Sequence, residues 1–261
     1  MNNRKMILAS IGSGSSYLPD IAEMLIERKD TMKVAEWRLM DIDEYRLNCT
    51  GKYVQKMFAD AGMETAVTLT MDLKEAVADA DFVMTTIRPG MSDGRFLDET
   101  IPFKHGLIGQ ETTAPGGMLM GLKTIPAMLE IAHAIEKYGK SDCYLINLAN
   151  PSGMVGEALH RYSNVKFGCL CNGPTVVRKA MEAVYGEEHG GHIFVEVIGL
   201  NHLIWCKVFV DGVDCTDEAF EKLLVWSEEN IPALRREFVE PALEKFIGYI
   251  PMRPYLEFYY D

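Results

Sequence analysis

Basic residues are in short supply: 26 Lys and Arg stand against 38 Asp and Glu, for a formal net charge of -12. Nucleic acid and anionic membranes both need a basic face, so neither is expected as a partner. A small anionic ligand, which a few local arginines can hold, stays open. No apolar run reaches the roughly 18–20 residues that span a bilayer. The apolar stretch over residues 6–11 is too short for a signal-peptide core and has no small-residue cleavage site after it, so the expected location is cytoplasmic. Cysteines are sparse too, six in 261 residues, without the density of a secreted disulfide scaffold. Reduced thiols are expected, and a special cysteine would be a ligand or nucleophile. Internal repeats and low-complexity segments are also missing. What is present suits a soluble globular enzyme, with 48% hydrophobic and 25% charged residues and length for one large domain or two smaller ones.

Hydrophobic periodicity predicts a regular alternation. Strands are expected at residues 5–11, 37–40, 66–70, 82–87, 143–148 and 165–170. Helices are expected at 19–29, 43–61, 73–80, 118–138, 154–162 and 174–185. This is the pattern of an α/β, doubly wound parallel sheet. Residues 88–115, rich in glycine, proline and charge, read as a long functional loop. Past residue 190 the character changes, to two neighbouring strands (193–198, 203–210) and helical stretches at 216–230 and 232–246. The boundary is placed at 172: a dinucleotide-binding domain over 1–172 and part of an α+β substrate domain over 173–261.

Between the first strand and first helix stands Gly12-Ser13-Gly14-Ser15-Ser16. Glycines there let the backbone turn tightly and approach a pyrophosphate at a helix N-terminus. The third glycine of the usual fingerprint is replaced by Tyr17, and a plain strand-to-helix turn reads the same way. Asp41 adds weight, because it closes the second strand, from which a carboxylate accepts hydrogen bonds from ribose hydroxyls and repels a 2′-phosphate. An aspartate capping the next helix is the competing reading. Together these residues point to a Rossmann-type site for NAD.

Three more segments end predicted strands with polar groups: residues 147–151 (NLANP), 169–174 (CLCNGP) and 199–203 (GLNHL). Ligands in open α/β sheets sit beyond the carboxyl ends of the strands, so these segments should converge beside the glycine loop. Cys171 and His202 are a plausible pair of metal ligands, since thiolate and imidazole suit a divalent transition metal. Packed core residues are the competing reading for both.

Taken in order, residues 11–16 (IGSGSS), 39–43 (LMDID), 95–102 (RFLDETIP), 106–112 (GLIGQET), 123–126 (KTIP), 147–151, 171–174 (CNGP) and 199–202 (GLNH) resemble glycoside hydrolase family 4, whose fold resembles the lactate and malate dehydrogenases. The resemblance implies an NAD- and manganese-dependent glycosidase acting on a phosphorylated disaccharide or aryl 6-phospho-glucoside. Asn172 in Cys-Asn-x-Pro is similar to the 6-phospho-β-glucosidases. The implied chemistry is oxidation at C3, deprotonation at C2, elimination of the aglycone, water addition at C1 and return of the hydride. By matching position, Cys171 and His202 would ligate the metal, and Asn150 and Asn172 would bind sugar hydroxyls. Arg95 would pair with the 6-phosphate, and Glu111 and Thr112 would line the pocket. Gly12, Ser13, Gly14, Ser15, Asp41, Arg88 and Asn147 would serve the cofactor. Tyr255, with Tyr259 second, would be the base.

Family members are usually longer. The implied remainder would complete the sugar pocket and the contacts of a homo-oligomer. Lys123 also departs from the family's frequent arginine. Two other readings stand beside this one: an NAD-dependent 2-hydroxy-acid dehydrogenase, which would need a His–Asp relay, and an inactive NAD-binding subunit.

Overall fold

The computed structural model describes residues 6–186, 192–230 and 248–251. Six strands, β1 (Met6–Ile11), β2 (Val34–Met40), β3 (Ala66–Thr70), β4 (Phe82–Thr85), β5 (Tyr144–Asn147) and β6 (Lys166–Cys169), form one parallel sheet in the order β3-β2-β1-β4-β5-β6. Their last residues pair in a single row, Thr70–Met40–Ile11–Thr85–Asn147–Cys169. Every loop leaving the carboxyl end therefore starts at one edge.

Alternation along β1 sends its side chains into two separate cores. Leu8 joins Trp37, Leu39 and the inner faces of α1 (Leu18–Glu27) and α2 (Glu44–Asp60). Ala9 and Ile11 join Val83 and Leu145 under α3 (Leu73–Val77), α5 (Ala114–Tyr138) and α6 (Ser152–Tyr162). Helices thus cover both faces, as a doubly wound sheet requires. The chain then continues through α7 (Gly173–Tyr185) into an antiparallel hairpin, β7 (Ile193–Leu200) with β8 (Leu203–Val210). The short strands β9 (Val213–Asp214) and β10 (Ile250–Pro251) both pair with β8. The helix α8 (Thr216–Asn230) packs with α7 over this second sheet through Met181, Ala219 and Phe220.

Three expectations need correction. Residues 88–115 are not a plain loop: they contain α4 (Met91–Thr100) and a 3-10 turn (Pro102–His105). The periodicity of α4 is silent because Asp98 is its one buried residue, while Phe96 and Leu97 face solvent. Asp98 holds the helix in place through an ion pair with Lys123 Nζ at 2.6 Å. The second correction concerns α5, which starts at Ala114 rather than 118. Gly116 and Gly117 lie inside it because a Cβ at Gly117 would stand 2.4 Å from the Thr112 carbonyl carbon, so the preceding loop can lie directly on the helix. With 25 residues and a mean hydropathy of 1.3 in its most apolar window, α5 is also long and apolar enough to cross a membrane, against the expectation that no run was. Here Met128, Ile131, Ala132 and Ile135 instead bury one face in the core beneath the sheet. The expected helix over 232–246 lies outside the described residues.

Trp37 is fully buried, 5.5 Å ring to ring from Phe58, and donates Nε1–H to Ser10 Oγ at 2.9 Å. Trp37→Ala should cost about 3–5 kcal/mol of stability, measured as a lower urea midpoint at unchanged slope.

Candidate active site

The glycine loop leaves β1 at the row of strand ends. Gly12 has φ +90°, and a Cβ there would lie 2.9 Å from the Thr86 carbonyl carbon, so no side chain fits between β1 and the turn after β4. Asp41 Oδ2 accepts the Gly14 N–H at 2.7 Å, and Arg46 Nη2 donates to the Gly14 carbonyl at 3.1 Å. The competing reading of Asp41 as a helix cap does not hold, because Asp43 is the cap and accepts from the Arg46 N–H at 3.0 Å. Asp41 is thereby kept at the loop, although Arg46, which braces it, carried no recognisable sequence signal. Ser13 turns inward and donates to the Ser10 carbonyl at 2.8 Å, so its hydroxyl faces the core. Ser15 Oγ accepts from the Tyr17 N–H at 3.2 Å, and Tyr17 itself is exposed.

Asn147 is fully buried, and its amide is engaged inside the protein. Its Oδ1 accepts from Thr85 Oγ1 at 2.8 Å and from the Ala149 N–H at 2.9 Å, while Nδ2 donates to the Ala149 carbonyl at 2.9 Å. The side chain braces the turn that leads to Asn150, whose bond to Pro151 is cis.

Arg88 and Arg95, expected to serve different ligands, meet at one carboxylate. Glu111 Oε2 lies 2.5 Å from Arg88 Nη1 and 3.3 Å from Arg95 Nε, and Arg95 also pairs with Glu99 at 2.7 Å along α4. The pairing with Glu99 is an ordinary i,i+4 surface contact along α4. The additional bridge to Glu111 draws both guanidinium groups toward one point.

Beyond β5 and β6 a cavity of about 300 Å³ opens between the strand ends and the turn of the β7–β8 hairpin. Cys171 and His202 both line it, together with Ser152, Gly153 and Asn201. Ser152 directly follows the 147–151 segment and Asn201 lies within the 199–203 segment; neither carries a signal of its own, because small polar residues in turns are common. Asn172 stands just before α7, beside Cys171, with Oδ1 3.9 Å from Cys171 Sγ. His202 is buried, in a left-handed backbone conformation (φ +63°) unusual for a residue with a side chain, and its Nδ1 lies 2.5 Å from Thr112 Oγ1. Among the described residues no cluster of three His, Cys, Asp or Glu groups could hold a metal, so a metal here would take a thiol and an imidazole from this part of the protein. Tyr255 and Tyr259 lie outside the described residues.

The profile described as Family 4 glycosyl hydrolase matches residues 7–187, which takes in the glycine loop, the two arginines and Cys171. The chain belongs to that family. A probable 6-phospho-beta-glucosidase of Bacillus subtilis is 41% identical over 220 residues, 83% of this chain and 49% of the relative. The 6-phospho-beta glucosidase of Thermotoga maritima, solved with manganese, NAD+ and glucose-6-phosphate, superposes with a TM-score of 0.86 at 32% identity, covering 98% of this chain and 59% of that one. A 6-phospho-alpha-glucosidase from gut microorganisms, in complex with NAD and glucose-6-phosphate, reaches a TM-score of 0.88 at 28% identity, covering 98% and 60%. At the level of fold alone, lactate dehydrogenase of Eimeria maxima matches with a TM-score of 0.60 at 15% identity. The family-4 chain thus spans about half the length of the curated relatives it matches.

Burial pushes the His202 imidazole below its ordinary 6.5, against a weaker upward pull from Glu111. The unfolded chain then binds a proton that the folded chain refuses, so stability falls as pH drops from about 6.5 through the lower folded value. Replacing it by His202→Asn, a residue that tolerates the left-handed backbone, should flatten that acid slope in urea titrations between about pH 7 and 5.

Proposed function

We propose that this chain carries the dinucleotide site and part of the sugar site of a 6-phospho-β-glucosidase that works by redox elimination. The observation that carries the reading is that Cys171 and His202, two residues from separate elements whose donor atoms suit a divalent transition metal, line the same cavity. The fit of a dinucleotide is supported by the tight Gly12 turn, which its φ of +90° and the adjacent Thr86 backbone reserve for glycine, and by Asp41 at the end of β2. When bound, NAD would take a hydride from C3 of the sugar and return it, while manganese would polarise the C2 and C3 oxygens.

The remaining work falls to side chains. Gly12, Ser13, Gly14, Ser15 and Asp41 would hold the dinucleotide, with Arg88 close by and Asn147 acting through the turn it braces. Arg95 would meet the 6-phosphate, its guanidinium held near Arg88 by Glu111. Asn150 and Asn172 would orient the sugar hydroxyls, and Tyr255 would accept the acidified C2 proton. Asn172, in Cys171-Asn172-Gly173-Pro174, supports β- over α-linked substrates, as does the 41% identity to a relative named as a β-glucosidase. A homo-oligomer is supported by the exposed apolar side chains Phe96, Leu97 and Leu122 on α4 and α5, and Phe194 and Ile198 on β7. Six free cysteines agree with a reducing, cytoplasmic location. The dehydrogenase alternative is disfavoured, because His202 Nδ1 faces the Thr112 hydroxyl where a proton relay would place a carboxylate.

The test is hydrolysis of an aryl 6-phospho-β-glucoside with and without NAD, Mn2+ and a thiol reductant. Turnover should need both NAD and metal and should leave solvent deuterium at C2 of the product. Turnover indifferent to NAD would end the redox-elimination reading, and NAD binding without turnover would favour the inactive-subunit reading. In the same chain Gly12→Val should abolish NAD binding in a fluorescence titration, because φ +90° and the Thr86 backbone leave no room for its side chain.

A further inference from the structure

Gln110, in the segment between the 3-10 turn and α5, accepts two backbone N–H groups on its side-chain oxygen, from Thr112 at 2.6 Å and Thr113 at 2.7 Å. Two N–H donors on that atom identify it as the amide oxygen. The Thr112 hydroxyl lies 2.9 Å from the same oxygen, and the Thr113 hydroxyl also lies at 2.9 Å. A carbonyl oxygen has no proton to give. If Thr112 turned its hydroxyl proton elsewhere, two acceptor oxygens would face each other with nothing between them. With its proton on the Gln110 side, the Thr112 oxygen is able to accept from His202 Nδ1–H, the two atoms lying 2.5 Å apart. A neutral imidazole protonated on Nδ1 carries its lone pair on Nε2.

We infer that Thr112, held by Gln110, is a positioning residue that sets the tautomer and ring orientation of His202, so that Nε2 presents its lone pair to a divalent metal in the Cys171 cavity. The inference rests on the metal reading above and deepens it. The hydrogen bond joins residues 90 apart in sequence and ties the Gln110–Thr113 loop to the β7–β8 turn. The loop is itself seated on α5, because Gly116 and Gly117 let the Gln110 and Thr112 backbones touch the helix. Metal-binding histidines commonly have their second nitrogen fixed in this way by a neighbouring acceptor.

Two measurements on the full 261-residue chain test it. The first is the long-range proton–nitrogen spectrum of ring-labelled histidine, recorded without metal at about pH 8, above the ordinary imidazole range. His202 should show the Nδ1–H pattern in the wild type and in Thr112→Ser, which keeps the hydroxyl, but lose it in Thr112→Val. The second is Mn2+ affinity by electron paramagnetic resonance titration. Thr112→Val should weaken binding about 10- to 100-fold, and Thr112→Ser should restore it to near the wild-type value. A wild-type His202 protonated on Nε2 overturns the inference, and so does unchanged Mn2+ affinity in Thr112→Val. Failure of the metal reading itself looks different: Cys171→Ser and His202→Asn would leave Mn2+ binding unaltered, while the tautomer, read without metal, would be untouched by that result.

Discussion

Parallel pairing in one register is the constraint on which the rest of this protein depends. Strands that run the same way need a crossover between each pair, and a common register puts all their carboxyl ends on one edge. Here the row Thr70–Met40–Ile11–Thr85–Asn147–Cys169 is that edge. Gly12, Asp41, Thr86, Leu148 and Leu170 are the first residues past it. Gly12, Asp41, Arg88, Asn147, Asn150 and Cys171 lie on the row or within a few residues of it, so the row brings together segments that are far apart in the chain, while Arg95, Glu111 and Thr112 come from the longer excursion after β4. His202 arrives differently, on the antiparallel hairpin of the second sheet.

Polar side chains then hold these loops in place. Asn147 is buried with its amide engaged at the turn after β5, a position where a mismatched polar group would cost about 1–3 kcal/mol. Asp98, on a helix with no apolar stripe, is paired with Lys123 and fixes the arginine-bearing α4 against α5. In a chain of net charge -12, Glu111 bridges Arg88 and Arg95 while Glu99 also pairs with Arg95, so two guanidinium groups and two carboxylates share this spot. Two guanidinium groups held at one point would repel each other without a carboxylate between them.

Some of this could be read directly from residue order. The buried β-branched run of β1, the helical spacing of α1 and α2, and the paired glycines after β1 each follow from local physics: period, propensity and φ > 0. The α/β class and the parallel sheet were legible for that reason. The helix α4 was not, because its contact with the body of the protein is a salt bridge, and ion pairs leave no periodic trace. The start of α5 was missed because Gly116 and Gly117 look like loop residues until the chain that presses against them is seen. Arg46 was equally silent, since bracing a loop from elsewhere requires only a donor at the right place.

The sequence by itself determined the succession of strands and helices, the glycine turn with Asp41 behind it, and the identity of the groups able to do chemistry. These are properties of neighbouring residues. Tertiary structure decided which of those groups meet. It put Asp41 on the glycine loop and left the helix cap to Asp43, turned the Ser13 hydroxyl into the core, and set Glu111 between two arginines expected to act apart. It also placed the Thr112 hydroxyl against His202 across 90 residues. A hydrogen bond depends on distance and angle between atoms, and for residues so far apart those are fixed only when the sheet and the hairpin have packed.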